Sequence, residues 1–250
     1  MKTVSDSKRA FHSAYPRPIN SIYRRVIEEL LVEMHLLSVN SDFKADPIYY
    51  LGIVTSFERL MQGYQPEADK EKIFNALCTS TDGDPQNYKA QAGTLLSLAE
   101  NKSVDDLVAW FANPTASDDL GYIIEPIKAI ASNDNFKYSR LFAIGIYTLL
   151  EECDREVAQD QEKCNEVVDK IAANLSISSE KMKKDLDIYR GSLEKMEQLL
   201  KVIEDVLEAS RKQREKREQE KQAKLAKQDD ASESTSTAPA EVEAESATAE

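Results

Sequence analysis

Glycine is scarce in this 250-residue chain, with seven in all, and histidine is scarcer, with two. So few glycines leave no place for a phosphate-cradling loop, and GxGxxG, GxxxxGK[ST] and GxSxG are all absent. His12 lies in a polar N-terminal segment and His35 lies in "VEMHLL". An HExxH zinc motif is missing. A di-iron bundle needs two Glu-x-x-His pairs, and Val32 stands where the first Glu would be. The three cysteines, Cys78, Cys153 and Cys164, are odd in number and contain no CxxC. They are expected as reduced thiols, with a Cys153–Cys164 redox pair as the alternative. Nothing in the sequence sets a thiol beside an imidazole, so no nucleophilic dyad is expected. Neither catalytic, cofactor-binding nor metal-binding residues are assigned.

Long apolar runs are also missing. The longest, "LFAIGIYTLL", has ten residues, too few to span a bilayer, and reads as a buried core helix. The N-terminal "MKTVSDSKRAF" has neither the apolar stretch of a secretory signal nor an Arg- and Ser-rich organelle leader. A soluble or peripheral protein is expected. Positive charge is short as well: the formal net charge is -13. An acidic chain repels phosphates at long range, which speaks against nucleic acid as a partner.

What is present favours helix. Glu, Lys, Leu and Ala abound, aromatics are 7% of residues, and no stretch sustains a two-residue alternation. Helix starts recur: Asp46 then Pro47, Asp84 then Pro85, and the capping box Ser103 to Asp106 ahead of "LVAWFA". Gly63 and Pro114 act as stops, and Asn20 or Ser21 caps a helix bearing Ile22, Val26, Leu30, Met34 and Leu37 on one face. Glu28, Glu29 and Glu33 share that helix with Arg24 and Arg25 and read as a solvated ion-pair face. The tyrosines Tyr15, Tyr23, Tyr49, Tyr50 and Tyr64 read as core and hydrogen-bonding residues. The expected fold is all-α. An N-terminal arm (1–18) precedes a compact multi-helix body (19–175). A long C-terminal heptad-bearing helix (178–227) follows, and then a disordered acidic tail (228–250).

In the long helix the apolar residues are Met182, Leu186, Tyr189, Leu193, Met196, Leu200, Ile203 and Leu207. Steps of four and three alternate without a slip, which is a heptad seam. The seam packs either on another chain or back on the body. Continuing the phase gives Ser210, Arg214, Arg217, Lys221 and Lys224, residues no core accepts, so the helix is expected to become solvated from Ser210. Between Arg211 and Lys227 there are eight basic residues (Arg211, Lys212, Arg214, Lys216, Arg217, Lys221, Lys224 and Lys227) against three Glu. These can simply decorate a solvated helix end, or they can touch an anionic surface such as lipid headgroups or an acidic partner. The last segment, from Gln228, carries seven acidic residues and no basic one.

The run "YPRPINSIYRRVIEELLVEMHLLSVNSDFKADPIYYLGIVTSFERLMQGYQPE" (Tyr15 to Glu67) resembles the thylakoid-formation family of cyanobacteria and chloroplasts, also described as photosystem II biogenesis proteins. "IFNALC" (Ile73 to Cys78) and the Asp84, Pro85 and Tyr88 group continue the resemblance, which covers roughly Phe11 to Ala173. It implies a non-enzymatic accessory protein for thylakoid membrane organisation and photosystem II assembly and repair. It further implies partnership with an FtsH-type membrane protease complex and photosystem II assembly components, at the cytoplasmic face of a cyanobacterial thylakoid, with no cofactor. Peripheral contact with anionic thylakoid lipid is a further expectation, and the oligomeric state stays open. The rivals are a membrane-shaping or vesicle-associated protein acting directly on lipid, and a helical enzyme holding a cofactor or pigment among its tyrosines.

Overall fold

The computed structural model describes residues 2–114, 121–133 and 135–233, and the side chains among these as far as Gln219, Ala131 apart. The described residues are helical throughout their regular structure, with no strand. They form α1 (Val4–Ala14), α2 (Ser21–Ser38), α3 (Pro47–Leu60), α4 (Asp69–Ser80), α5 (Pro85–Ala99), α6 (Val104–Ala112), α7 (Gly121–Ala131), α8 (Arg140–Cys153), α9 (Arg155–Gln159), α10 (Gln161–Asn174) and α11 (Ser179–Glu233). The chain divides into two compact units, Met1–Met196 and Glu197–Glu250.

The first unit is organised on α3 and α8. Both are buried along most of their length, and a helix that is apolar all round belongs in a core. They cross with their backbones in contact. A Cβ on Gly52 would overlap the Leu141 carbonyl oxygen, and one on Gly145 would overlap that of Ile48. Glycine is therefore required at both positions for lack of space rather than for backbone freedom. Helix α5 packs on both α3 and α8, α1 lies on α2 and α4, and α10 lies on α6 and α9.

The helix starts follow the sequence signals. Asp46 caps α3 by accepting from the Tyr49 amide, Asp84 caps α5, and Ser103 closes a capping box with Asp106 on α6. Gly63 has a φ of 76°, the left-handed conformation expected of a stop after α3.

Within the stretch expected as an N-terminal arm (1–18), Val4–Ala14 is a helix of the first unit, begun by a Thr3–Asp6 capping box. Ser7 and Phe11 are buried on it, and Ser7 Oγ meets the buried His35 Nδ1 at 2.9 Å. The segment has too few apolar residues to announce itself by periodicity, although Thr3-x-x-Asp6 is a readable start. The short α9 is capped by Asp154, whose side chain accepts from the Val157 amide. Helix α11 reaches Glu233, past the expected end at Lys227, and residues 234–250 of the acidic tail lie outside the described residues.

Candidate docking surface on the C-terminal helix

One heptad seam has two environments. In the first unit Met182, Leu186, Tyr189 and Met196 are buried, and Leu193 is half-buried between them. Polar contacts fasten this stretch to its neighbours. Tyr138 donates to Asp185 at 2.8 Å, Lys183 pairs with Asp169 of α10, and Arg190 donates to the Ala158 carbonyl of α9 at 3.1 Å. The Arg190 guanidinium also sits 5.0 Å from the centroid of the Tyr147 ring, against which Tyr189 packs edge-on. Burial pushes the Tyr189 hydroxyl well above its ordinary pKa, so it stays neutral.

The second unit reverses this. Leu200 is half-buried, and every described residue from Lys201 to Gln219 is exposed. Ile203 and Leu207 are 38% and 65% exposed. Beside them are two residues the a/d reading leaves out, Val202 at 57% and Val206 at 58%. Leu199 also belongs to this face, which is therefore broader than a two-position seam. A hydrophobicity count around the helix, rather than along the heptad, finds these three. On the basic stretch, Lys212 pairs with Glu208 at 2.7 Å and Arg211 with Glu215 at 3.6 Å. Arg214, Lys216 and Arg217 have no carboxylate within ion-pair distance among the described residues. Lys221, Lys224 and Lys227 are on α11, with side chains outside the described residues.

The first unit also carries an open groove of about 1230 Å³ between α2 and the start of α11. Leu36 and Ile188 are its exposed apolar side chains, at 57% and 49%. The half-buried Arg140–Glu33 ion pair, 2.6 Å, lies in its wall.

Elsewhere the chemistry-bearing residues are occupied in structure. The three thiols are unpaired, and burial pushes Cys78 up to about 12 and Cys153 up to about 11, so both are protonated at neutral pH and weakly nucleophilic. Ser7 and His35 are a hydrogen-bonded pair with almost no exposure, and water or substrate does not reach them. Tyr15 donates to Asp69 at 3.0 Å, Tyr23 donates to the Gln62 carbonyl at 3.0 Å, and Tyr50 stacks on Tyr88. Among the described residues no group of His, Cys, Asp and Glu is placed to hold a metal, and no helix is long and apolar enough to cross a membrane.

The described helices and the seam carry a specific ancestry. The model of the thylakoid formation protein family matches residues 3–218, nearly the whole described chain. The chain belongs to this family. Protein Thf1 of Gloeothece citriformis is 56% identical over 215 residues, covering 85% of this chain and 94% of its own. Protein Thf1 of Nostoc punctiforme is 51% identical over 212 residues, covering 85% and 90%. A solved structure of Psb29 superposes with a TM-score of 0.74 at 40% identity, covering 86% of this chain and 99% of that one. The family match runs on past Leu207 to residue 218. It thus includes the apolar stripe and the start of the basic stretch.

Proposed function

We propose that this chain is a non-catalytic accessory protein for thylakoid formation and for the assembly and repair of photosystem II. In this reading it works as an adaptor or stabiliser beside an FtsH-type membrane protease complex, peripherally, on the cytoplasmic face of the thylakoid. One observation carries the adaptor part: α11 spends half of its apolar seam on the first unit and leaves the other half uncovered. A helix that holds four large apolar side chains in water has that surface available for another molecule. The thylakoid formation protein family, and the similarity to Thf1 and Psb29 proteins, support the biological setting.

The test is co-isolation. The tagged full chain, recovered from detergent-solubilised cyanobacterial thylakoids, is expected to bring protease or photosystem II assembly subunits in amounts well above an untagged control. Recovery of neither overturns the reading.

A second reading is supported by the exposed Arg211, Lys212, Arg214, Lys216 and Arg217. Here the basic stretch touches anionic lipid directly, at roughly 1 kcal/mol per residue near the surface. Flotation with phosphatidylglycerol vesicles across a salt series separates the two: lipid as the main target requires strong binding with no protein partner present.

A further inference from the structure

The exposed part of α11 has two faces of different chemistry. At 100° per residue, Leu199, Leu200, Val202, Ile203, Val206 and Leu207 fall within about half of the helix circumference. The opposite side carries Glu197, Glu204, Asp205 and Glu208 against a single cation, Lys201. An interfacial anchor on anionic lipid needs a basic polar face, and this one is acidic, so a bilayer is a poor cover for the stripe. Past Leu207 the same half of the helix continues as Ser210, Gln213, Arg214, Arg217 and Glu218, two cations against one carboxylate at its edge, and the two arginines lack an ion-pair partner among the described residues. The face is thus apolar for about two and a half turns and then net positive, with Arg214 and Arg217 near its centre line and Glu218 at its edge.

A second copy does not complement it. A parallel copy in register sets Arg214 and Arg217 against themselves. An antiparallel copy centred on Ile203 sets those arginines opposite the half-buried Ser192 and the buried Tyr189, on a stretch already packed within the first unit. The charge order instead calls for an apolar seam that turns acidic. We infer that this face binds an α-helix of a partner protein, with an apolar stripe that gives way to Asp or Glu at the level of Arg214 and Arg217. The inference rests on the accessory reading above and gives its partner a chemistry.

The test uses the full chain and two probe peptides of about 25 residues, long enough to hold a helix when docked. Both carry the same Leu/Ile heptads, one continued by Glu at the seam positions and the other by Lys. Anisotropy is expected to show the Glu probe bound at least about tenfold more tightly than the Lys probe, with the difference collapsing as salt rises from about 50 to about 500 mM. Arg214→Glu with Arg217→Glu should invert the preference, and Ile203→Glu with Leu207→Glu should abolish binding of both probes. All four residues are exposed, so circular dichroism should show unchanged helix content.

Equal affinity for the two probes, no binding of the Glu probe, a dimer by light scattering, or phosphatidylglycerol vesicles displacing the Glu probe would each overturn the inference. If the Ile203→Glu, Leu207→Glu chain still co-isolates protease subunits, the stripe is not the docking face and the accessory role stands. If the wild-type chain co-isolates nothing, the accessory role fails first.

Discussion

At the residue scale, two glycines and one carboxylate show how position decides cost. Gly52 and Gly145 let α3 and α8 touch backbone to backbone, so one added methyl meets a carbonyl that cannot swing aside. Gly52→Ala is expected to destabilise the chain by about 3 kcal/mol in denaturant unfolding, the upper range for overpacking. Gly191, on α11, has open space around its Cα. The same substitution there should stabilise by about 0.5–1 kcal/mol, since only helix propensity changes. Asp46 caps α3 while fully buried, and desolvation pushes its carboxyl up to about 7 despite the amide hydrogen bonds it accepts. Its folded pKa lies above its unfolded value near 4. Its contribution is therefore fully present below about pH 4 and is lost as the pH rises through 7. Asn caps nearly as well and carries no charge. The Asp46→Asn chain is thus expected to melt higher than wild type at pH 8 and to lose that advantage toward pH 4. A difference independent of pH across that window would show that Asp46 is ionised throughout.

At the element scale, most helix starts were legible because caps are local. Asp46–Pro47, Asp84–Pro85 and Ser103 to Asp106 announce α3, α5 and α6 within four residues each, whatever lies across the core. Helix α1 escaped because its buried side is only Ser7 and Phe11, too little for periodicity to register. The closeness of α3 and α8 was not legible either. Two glycines far apart in sequence reveal a crossing only once both helices are placed. The seam of α11 is legible in the sequence residue by residue, yet a heptad does not say what faces it. Met182 to Met196 found the first unit, and Ile203 and Leu207 found water. Equivalent positions should therefore differ in energy. Leu186→Ala is expected to cost about 3 kcal/mol, a core deletion, and Leu207→Ala less than about 0.5 kcal/mol. Urea unfolding of the two variants checks this, and similar losses would mean that the exposed half is packed in solution.

At the scale of the whole molecule, charge is the organising quantity. The chain is acidic at -13, yet its one strongly basic stretch, Arg211 to Lys227, is followed directly by Gln228 to Glu250 with seven acidic residues. Arg211 and Lys212 are ion-paired with Glu215 and Glu208 one helical turn away, whereas Arg214 and Arg217 form no ion pair among the described residues. These unpaired cations govern long-range attraction, and any acidic segment tethered nearby competes for them at a high effective concentration. Removing Asp229 to Glu250 deletes seven acidic side chains and no basic one. The truncated chain is expected to bind the Glu-bearing probe several-fold more tightly at about 50 mM salt. At about 500 mM, where the Debye length falls to a few ångströms, it should match the full chain. A gain that persists at high salt would point to steric blocking by the tail. No gain at low salt would mean that the tail leaves the arginines alone, so that the stripe and its basic continuation are permanently available to a partner rather than screened by their own chain.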